Sequence, residues 1–312
     1  MAILTNAFLT FSAIGNREDL TDVIYNISPT DTPFMGNIGK TKAQAVLHEW
    51  QSDVLAAAAA NTQLEGDDIS SFQAVTATSR LNNLCQISYK NVVVSGTQDA
   101  VNKAGRQREV VYQLTKKAKE LRRDMEFALC NNQAPVTGSS TVARALRPLP
   151  SWYATNTSVG AGGSNGSTTT ARTDGTQRAL TESLVKTTLQ SAWTNGGDVN
   201  LIMSGPFNRT VISQFTGNST RISQAPTETL VATIDVYRSD FGTHKVVANR
   251  FSRDRDLHIL DTDLFATAFL RPQQAIDLAK TGDSEKGMVL AEYTLECRNE
   301  KGSGIVADLT TS

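Results

Sequence analysis

The sequence predicts an α+β fold built around one long helix and an extended β-structured excursion. Apolar residues recur at spacings of three and four over residues 97–133, which is typical of a helix with one buried side. Residues 41–95 hold two β-prone stretches separated by a small, polar segment, as expected for two strands and a long connection. Beyond residue 176, helices and strands follow one another without strict alternation, which favours an α+β layer.

Composition limits the classes of function. The 312 residues carry 30 basic and 31 acidic side chains, whereas a dedicated nucleic-acid binder shows a large basic excess. Cys85, Cys130 and Cys297 have no close spacing, so we predict buried free thiols in a reducing compartment rather than disulfides or a zinc site. No basic residue precedes Arg17 and no run of about 18 apolar residues occurs, so neither a signal peptide nor a membrane span is expected.

Residues 1–40 are predicted to form an N-terminal arm. A short helix is predicted over residues 16–27, and two prolines then hold the backbone extended. Phe34 and Met35 have little nearby sequence to bury against. They are therefore expected to dock on a distant part of the chain or on a neighbouring molecule.

Residues 41–95 are predicted to form a two-stranded ribbon with strands at 43–50 and 86–94. The segment between the strands has too few large apolar residues for a core of its own. Because a two-stranded ribbon is marginal alone in water, we expect it to lie on another subunit; a disordered loop is the alternative. The side chains predicted to make contacts between subunits are those of Phe34, Met35, Trp50, Leu55, Leu64 and Phe72.

Residues 97–133 are predicted to form a single helix of about 33 residues, or about 50 Å. Asp99 is the predicted N-cap, and Pro135 ends the helix. One side carries basic residues, and the opposite side is an apolar seam; a coiled coil is the alternative explanation for that seam. The seam comprises Val101, Ala104, Val111, Leu114, Ala118, Leu121, Met125, Ala128 and Leu129.

The remaining chain reads as a loop followed by short helices and strands. Trp152 and Tyr153 are predicted to anchor the loop ahead of its Gly/Ser-rich part, residues 160–167. The Gly/Ser-rich part lacks the preceding strand and following helix of a phosphate-binding loop, so no phosphate site is predicted. Amphipathic helices are predicted over residues 176–193 and 207–215. Strands are predicted at 200–204, 229–238, 244–249, 256–261, 264–270, 287–299 and 304–309.

No motif in the chain points to an enzyme. Asp254, Asp256 and His258 alternate and would share one face of a strand, as a divalent metal site requires. Arg253 and Arg255 are interleaved and no further ligand is nearby, so a charge cluster is the favoured interpretation. Nucleotide-binding, zinc-protease and Cys-x-x-Cys patterns do not occur. We therefore predict no catalytic residue, no cofactor and no metal.

The arm carries a resemblance to a known family. Its run Ile27-Ser28-Pro29-Thr30-Asp31-Thr32-Pro33-Phe34, with Asn16-Arg17-Glu18-Asp19-Leu20 before it and His48-Glu49-Trp50 after it, is similar to a family of phage head proteins. Over nearly the full length, the order of elements resembles tailed-bacteriophage major capsid proteins with the Hong Kong 97-type fold. The resemblance implies an N-terminal arm (1–40), an extended E-loop (41–95), a P-domain with spine helix 97–133 and the Gly/Ser-rich loop (96–175), an A-domain (176–262) and a return to the P-domain (263–312).

The resemblance implies a virion shell subunit made in the bacterial cytoplasm. It implies self-assembly into the pentamers and hexamers of an icosahedral head that encloses double-stranded DNA without sequence preference, with a portal protein as partner and no membrane. Arg122 and Arg123 would then face DNA, unless the basic residues of the helix pair with acidic residues of neighbouring subunits. An encapsulin-like nanocompartment shell and a coiled-coil adaptor are the alternative functions.

Two features of some relatives are not expected here. Only residues 1–40 precede the E-loop, so a cleaved scaffolding segment is not expected and the resemblance implies a separate scaffold or none. No lysine lies between Lys42 and Lys90, so a Lys–Asn cross-link at the tip of the E-loop is not expected. Shell stability would then rest on non-covalent burial or on an additional decoration protein.

Overall fold

Two β-sheets share one hydrophobic core in the computed structural model of the chain. The structure describes residues 28–66, 68, 72, 74–103, 105, 108–215 and 236–312. The helix predicted over residues 16–27 and most of the strand predicted over residues 229–238 lie outside these ranges. Within the ranges, none of the helices combines the length and the hydropathy that a membrane span requires.

The regular elements are named in chain order. The strands are β1 (Gly39–Lys42), β2 (Leu47–Ser52), β3 (Ser79–Leu84), β4 (Gln86–Ser95), β5 (Thr157–Ser158), β6 (Leu201–Ser204), β7 (Val236–Ser239), β8 (Gly242–Ala248), β9 (Leu257–Leu260), β10 (Phe265–Asp277), β11 (Ser284–Cys297) and β12 (Gly304–Val306). The α-helices are α1 (Pro33–Asn37), α2 (Gly96–Ala100), α3 (Glu109–Cys130), α4 (Glu182–Thr194) and α5 (Pro206–Ser213).

The first sheet has the order β1-β10-β11-β4, with β1 parallel to β10 and the other neighbours antiparallel. Strands β10 and β11 are 13 and 14 residues long. Their register shifts around Pro272, a residue that cannot donate to a β-ladder. Strand β4 pairs with β11 without a register shift and forms one edge of the sheet. The predicted strands near 264–270 and 287–299 are confirmed.

The central helix is shorter than predicted, and the prediction of a single helix over residues 97–133 is wrong. Helix α3 has 22 residues, or about 33 Å, and the start of the predicted stretch forms the separate α2. The backbone is extended at Val101 and Arg108, with ψ of 141° and 127°, and Gly105 has φ +72°. Because only glycine adopts positive φ routinely, Gly105 permits the turn that separates the two helices.

Asp99 caps α3 from across this turn rather than from within its own helix. Its carboxylate Oδ1 accepts hydrogen bonds from the backbone N–H groups of Glu109 (2.9 Å) and Val110 (3.4 Å), and Oδ2 pairs with Arg108 at 3.2 Å. Backbone N–H groups at a helix start have no acceptor within the helix. The predicted N-cap position is therefore wrong: Asp99 lies within α2 and Arg108 is the N-cap residue of α3, although the Asp99 carboxylate does accept from the first N–H groups of α3.

The apolar side of α3 packs on β4 and β11. Leu121, Met125 and Leu129 of the predicted seam are at most 1% exposed. Val111, also predicted in the seam, is 55% exposed, and its neighbour Val110 is buried instead. The turn before residue 109 resets the helical phase, so the seam extrapolated from residue 97 is displaced at the start of α3.

The two-stranded ribbon exists, but its second strand is not the predicted one. Strand β2 pairs with β3, in antiparallel register from Leu47↔Leu84 to Ser52↔Ser79. The predicted partner, residues 86–94, is β4 and belongs to the four-stranded sheet. The polar sequence of β3 (SRLNNL) has few β-branched or aromatic residues, so propensity alone did not identify it.

The second sheet has the order β5-β12-β9-β6-β8-β7 and is packed by α4 and α5. Helix α4 begins at Glu182 and not at residue 176, because the preceding chain runs extended beside the C-terminal segment. There the N–H of Arg178 donates to Asp308 C=O at 2.8 Å, and the N–H of Thr310 donates to Arg178 C=O at 2.9 Å. Trp193, predicted inward, is 58% exposed.

The two sheets are joined by a continuous core. Side chains of α1, α3, β10 and β11 pack in the same cluster as Leu201 and Met203 of β6 and Ile305 of β12. The last strand, β12, pairs with β5 and β9 of the six-stranded sheet, so the segment 263–312 contributes to both sheets. Cys85, Cys130 and Cys297 are buried free thiols, as predicted.

Candidate functional site

The most exposed apolar surface lies on the excursion between β2 and β3. In the described part of residues 53–78 no strand or helix forms, and nearly every side chain is exposed. Leu55, Leu64 and Phe72, three of the predicted contact residues, are 93%, 81% and 89% exposed, and Val75 is 97% exposed. Large apolar side chains left in water on a segment outside the core are available for burial against another molecule.

The sequence of this excursion explains why it stays away from the core. Residues 56–60 are five consecutive alanines, which offer little apolar area to bury. Asp53, Glu65, Asp67 and Asp68 make the excursion acidic, and no lysine or arginine occurs from residue 43 to residue 79. The excursion is therefore an acidic segment with widely spaced apolar side chains.

Phe34 and Met35 do not form part of an exposed surface, which corrects their prediction as contacts between subunits. They are 0% and 5% exposed and belong to the main core of their own chain. The ring of Phe34 meets that of Phe265 edge-on, with centroids 6.3 Å apart. Of the two docking sites that the sequence left open, the distant part of the same chain is the correct one.

Glu126 of α3 is the residue that fixes the arm to the core. The carboxylate is fully buried and accepts hydrogen bonds from the N–H groups of Phe34 (2.7 Å) and Met35 (2.9 Å). It also accepts a hydrogen bond from the side-chain amide of Asn249, after β8, at 2.7 Å. Burial raises the pKa of Glu126, and these three hydrogen bonds oppose the rise. One carboxylate thus joins the arm, the long helix and the six-stranded sheet.

Sequence reasoning missed Glu126, although a signal was present. Pro33 occupies the first turn of α1, and Thr32 provides no side-chain cap. The free N–H groups of the next two residues therefore required an acceptor from elsewhere in the chain. An acidic residue near the apolar seam of the long helix was the available candidate.

Trp50 anchors the base of the ribbon on its own chain, so it too is not an exposed contact residue. Its indole N–H donates to Cys297 C=O at 2.9 Å, and its ring lies 5.6 Å from that of Trp152. Next to it, His48 and Glu296 approach to 3.1 Å. These contacts hold the ribbon base against the end of β11 and leave the excursion beyond it exposed.

The basic residues of α3 lie on its outer side. Arg122 is exposed and Arg123 is half-buried. Part of the basic charge is paired within the subunit, since Lys117 contacts Glu120 at 2.7 Å and Lys90 of β4 contacts Asp124 at 2.6 Å. The two arginines lie on the surface side of α3, as predicted. The charge-reversal experiment described below tests whether they contact DNA.

A network of three arginines, two buried aspartates and the exposed Asp174 holds the Gly/Ser-rich loop to the C-terminal segment. Asp308, at φ +60°, accepts hydrogen bonds from the N–H groups of Gly160 (3.0 Å) and Gly175 (2.9 Å). It also pairs with Arg172 at 2.7 Å and with Arg255 at 3.1 Å. Burial pushes the pKa of Asp308 upward, but the two N–H groups and the Arg172 guanidinium hold it below its ordinary value.

Of the residues considered as metal ligands, only Asp256 is ion-paired in this network; Asp254 is exposed, and His258 is buried near the arginines. The buried Asp256 pairs with Arg172 (3.3 Å) and Arg253 (3.1 Å). His258 is buried with its ring stacked on Tyr153, centroids 5.8 Å apart; burial and then the nearby arginines lower its pKa to about 3. The part of the chain that the structure describes has no group of three or more metal-binding side chains. Asp256 thus lies in a charge cluster with the neighbouring arginines, as in the favoured interpretation.

Two comparisons with known proteins extend over almost the whole chain. The model of one protein family, described as SU10 major capsid protein, matches residues 3–310. The major capsid protein of Escherichia phage Phieco32 is 26% identical over 339 aligned positions, which cover 96% of this chain and 96% of that protein. Both matches extend over almost the whole length, so they include the arm, the excursion and both sheets.

Two solved structures share the fold. The capsid of a native GTA particle has a TM-score of 0.65 at 9% identity, covering 96% of this chain and 98% of that chain. The holo-SrpI encapsulin complex from Synechococcus elongatus PCC 7942 has a TM-score of 0.56 at 10% identity, covering 95% and 93%. Identities this low show the fold alone, and that fold occurs in both phage-type and encapsulin shells.

Proposed function

Since the chain belongs to the SU10 major capsid protein family, we propose that its exposed excursion is the clamp by which each subunit holds a neighbour in the shell. The protein is a structural major capsid protein of a tailed-phage head, not an enzyme. The α+β capsid fold of the Hong Kong 97 type is confirmed. The family match favours the phage head over the nanocompartment shell and the coiled-coil adaptor.

We assign the domains of the capsid fold according to the two sheets. The ribbon of β2 and β3 with the excursion between them is the E-loop, which overlies a neighbour; β4, although within the predicted range 41–95, belongs to the four-stranded sheet. Helix α3 is the spine of a P-domain made with the four-stranded sheet. The six-stranded sheet with α4 and α5 corresponds to the A-domain, around which pentamers and hexamers of an icosahedral head form. The packing of α3 on β4 and β11, and of α4 and α5 on the other sheet, supports this division.

The exposure of Leu55, Leu64 and Phe72 carries the proposal. Each side chain leaves more than four-fifths of its surface in water, and burying one such side chain contributes about 1.5–3 kcal/mol. In a closed shell each subunit is held through several such contacts, so dissociation requires that they break together. Non-covalent burial thereby supplies shell stability without a cross-link at the excursion.

We expect that replacing residues 55–76 with a short Asn-Gly turn gives a folded subunit that does not form stable shells. The ribbon strands β2 and β3 are retained, and none of the described residues in the deleted part belongs to the main core cluster. Thermal unfolding should therefore be preserved, while electron microscopy and light scattering should show no particles. Normal shells from this variant would contradict the E-loop assignment.

A milder variant tests the side chains alone. Leu55→Ser/Leu64→Ser/Phe72→Ser should change the unfolding free energy of the subunit by no more than about 0.5 kcal/mol per site, while weakening shells. Val111→Ser/Val142→Ser is the matched control, because those valines are also exposed (55% and 52%) but lie outside the excursion. Equal weakening by both sets would show that the excursion has no special role.

The further partners are proposed from the same family assignment. The shell encloses double-stranded DNA and carries a portal protein; a separate scaffold protein and a decoration protein are additional candidates. The surface position of Arg122 and Arg123 on α3 supports a weak, salt-dependent attraction to phosphates.

Charge reversal of Arg122 and Arg123 to glutamate is expected to lower the amount of packaged DNA and its dependence on salt. Each lost phosphate contact reduces the slope of log affinity against log salt by about 0.9. DNA content and release from particles would be measured over a range of salt concentrations. The control is Arg250→Glu, an exposed arginine outside α3. Unchanged DNA content and salt dependence would assign the two arginines another role.

A further inference from the structure

Strand β4 leaves one edge of the four-stranded sheet open. It is the last strand in the order β1-β10-β11-β4, and the N–H of Gly96 donates to Asp283 C=O at the end of its ladder with β11. Hydrogen-bonded and non-bonded positions alternate along an antiparallel pair. The even-numbered residues of β4 therefore point their backbone groups toward β11. The odd-numbered residues, Ile87, Tyr89, Asn91 and Val93, point theirs outward.

Apart from Lys90, whose charge is paired with Asp124 of α3 at 2.6 Å, this edge lacks the features that normally protect an edge strand. Strand β4 has ten residues, contains no proline, and pairs with β11 without a bulge. Ile87, Tyr89 and Val93 are 42%, 60% and 62% exposed. Within the described ranges no backbone partner is seen for the outward groups of these residues. A long, flat, apolar edge of this kind is a template for pairing with another strand.

A groove runs beside the open edge and fits an added strand. It has a volume of about 450 Å³ and is bounded by residues 91–95 of β4, Gln98 of α2, and Glu109, Gln113 and Lys117 of α3. Glu109 accepts a hydrogen bond from Gln113 at 2.7 Å, and Lys117 pairs with Glu120. The groove therefore has a backbone edge on one side and polar helix side chains on the other.

We propose that β4 is extended by an additional strand, residues 74–78 of the excursion of a second copy of the chain. This inference rests on the proposed function and names the site where the excursion binds. Residues 74–78 read Ala-Val-Thr-Ala-Thr, which includes β-branched residues; they are exposed and belong to no strand of the subunit, and the Thr78 hydroxyl donates to the Gln51 side chain at 3.2 Å. The excursion carries four acidic residues and no basic one, while Lys117 lines the groove opposite β4.

Hydrogen exchange of the peptide 86–95 tests the pairing without any substitution. In the unassembled subunit the amides of residues 87, 89, 91 and 93 should exchange quickly, and those of residues 88, 90, 92 and 94 slowly. Assembly into shells should slow the outward amides by about 100-fold or more. Shells in which the outward amides still exchange quickly would overturn the inference while leaving the capsid function intact.

A proline variant tests the pairing by removing one of the outward N–H groups, that of Asn91. Asn91→Pro removes an outward N–H that β11 does not use, and proline is tolerated on edge strands; Asn91→Ala removes the side chain and keeps the N–H. We expect Asn91→Ala to form shells, and Asn91→Pro to form none or shells that dissociate at lower denaturant. Equal shells from both variants would overturn the pairing, and the exchange experiment decides if Asn91→Pro does not fold.

Cross-linking identifies the strand that pairs. A photoreactive benzoylphenylalanine at position 91 should, in shells, join the peptide 74–78 of another subunit, and should give no such product in the unassembled subunit. A cross-link to residues 1–27 or to any other segment would overturn the identity of the added strand. If the unmodified chain formed no shells at all, the proposed function would fail before this question arose.

Discussion

Asp308→Ala is expected to lower the free energy of unfolding by about 3–5 kcal/mol, the usual cost of removing one partner of a buried ion pair. The substitution leaves the Arg172 side chain, which is 0% exposed, with its charge less compensated. It also leaves the N–H groups of Gly160 and Gly175 without their acceptor. Alanine is in addition less suited than aspartate to φ +60°. Urea unfolding of the unassembled subunit, followed by tryptophan fluorescence, measures the loss.

Asp174→Ala is the matched control for this prediction. Asp174 contacts Arg253 (2.6 Å) and Arg255 (3.2 Å), but its side chain is 36% exposed, so its removal should cost no more than about 1 kcal/mol. Asp308→Asn keeps the size and the tolerance of positive φ, and should fall between the two. If Asp308→Ala were no more destabilising than Asp174→Ala, the buried network would not be a source of stability.

Glu126→Ala is expected to cost about 3–5 kcal/mol and to release the arm. Three buried donors, the N–H groups of Phe34 and Met35 and the amide of Asn249, lose their acceptor together. Each buried donor left without an acceptor costs about 1–3 kcal/mol, and a water molecule that enters the site offsets part of that cost. The first observable is faster hydrogen exchange in residues 33–38, because α1 loses its attachment to α3. The second is a lower midpoint of urea unfolding.

Glu120→Ala separates this role from a general effect of charge on α3. Glu120 lies on the same helix but pairs with Lys117 near the surface, so its loss should change stability by no more than about 1 kcal/mol and leave α1 protected. Glu126→Gln keeps one oxygen acceptor but presents an NH₂ group to a donor, so an intermediate loss is expected. Unchanged exchange in residues 33–38 of Glu126→Ala would show that α1 is held by apolar packing alone.

The strong helical and strand patterns were predictable because they reflect burial. Leu121, Met125 and Leu129 recur at helical spacing and are buried as predicted, and strands were predicted within both long strands, at 264–270 in β10 and at 287–299 in β11. The break in the long helix was not predictable from periodicity. It depends on Gly105 at positive φ and on Asp99 reaching across the turn, and both are tertiary arrangements.

The surfaces were predicted in part. Leu55, Leu64 and Phe72 are exposed where contacts between subunits were predicted, because a stretch poor in large apolar residues cannot build a core. Phe34 was misassigned for the same reason: its local sequence is poor in partners, but a distant helix supplies them. Asp308 gave no local signal, since a lone aspartate in a C-terminal segment acquires its role only when Gly160, Gly175 and Arg172 are brought to it by folding.

The lack of lysine and arginine in the excursion has a consequence for limited proteolysis. Trypsin cleaves after basic residues, and none lies between Lys42 and Arg80. Trypsin resistance of this segment would therefore be the same in free and assembled protein. Chymotrypsin, which cleaves after exposed residues such as Phe72 and Leu64, is the protease whose cutting pattern distinguishes a covered excursion from an open one.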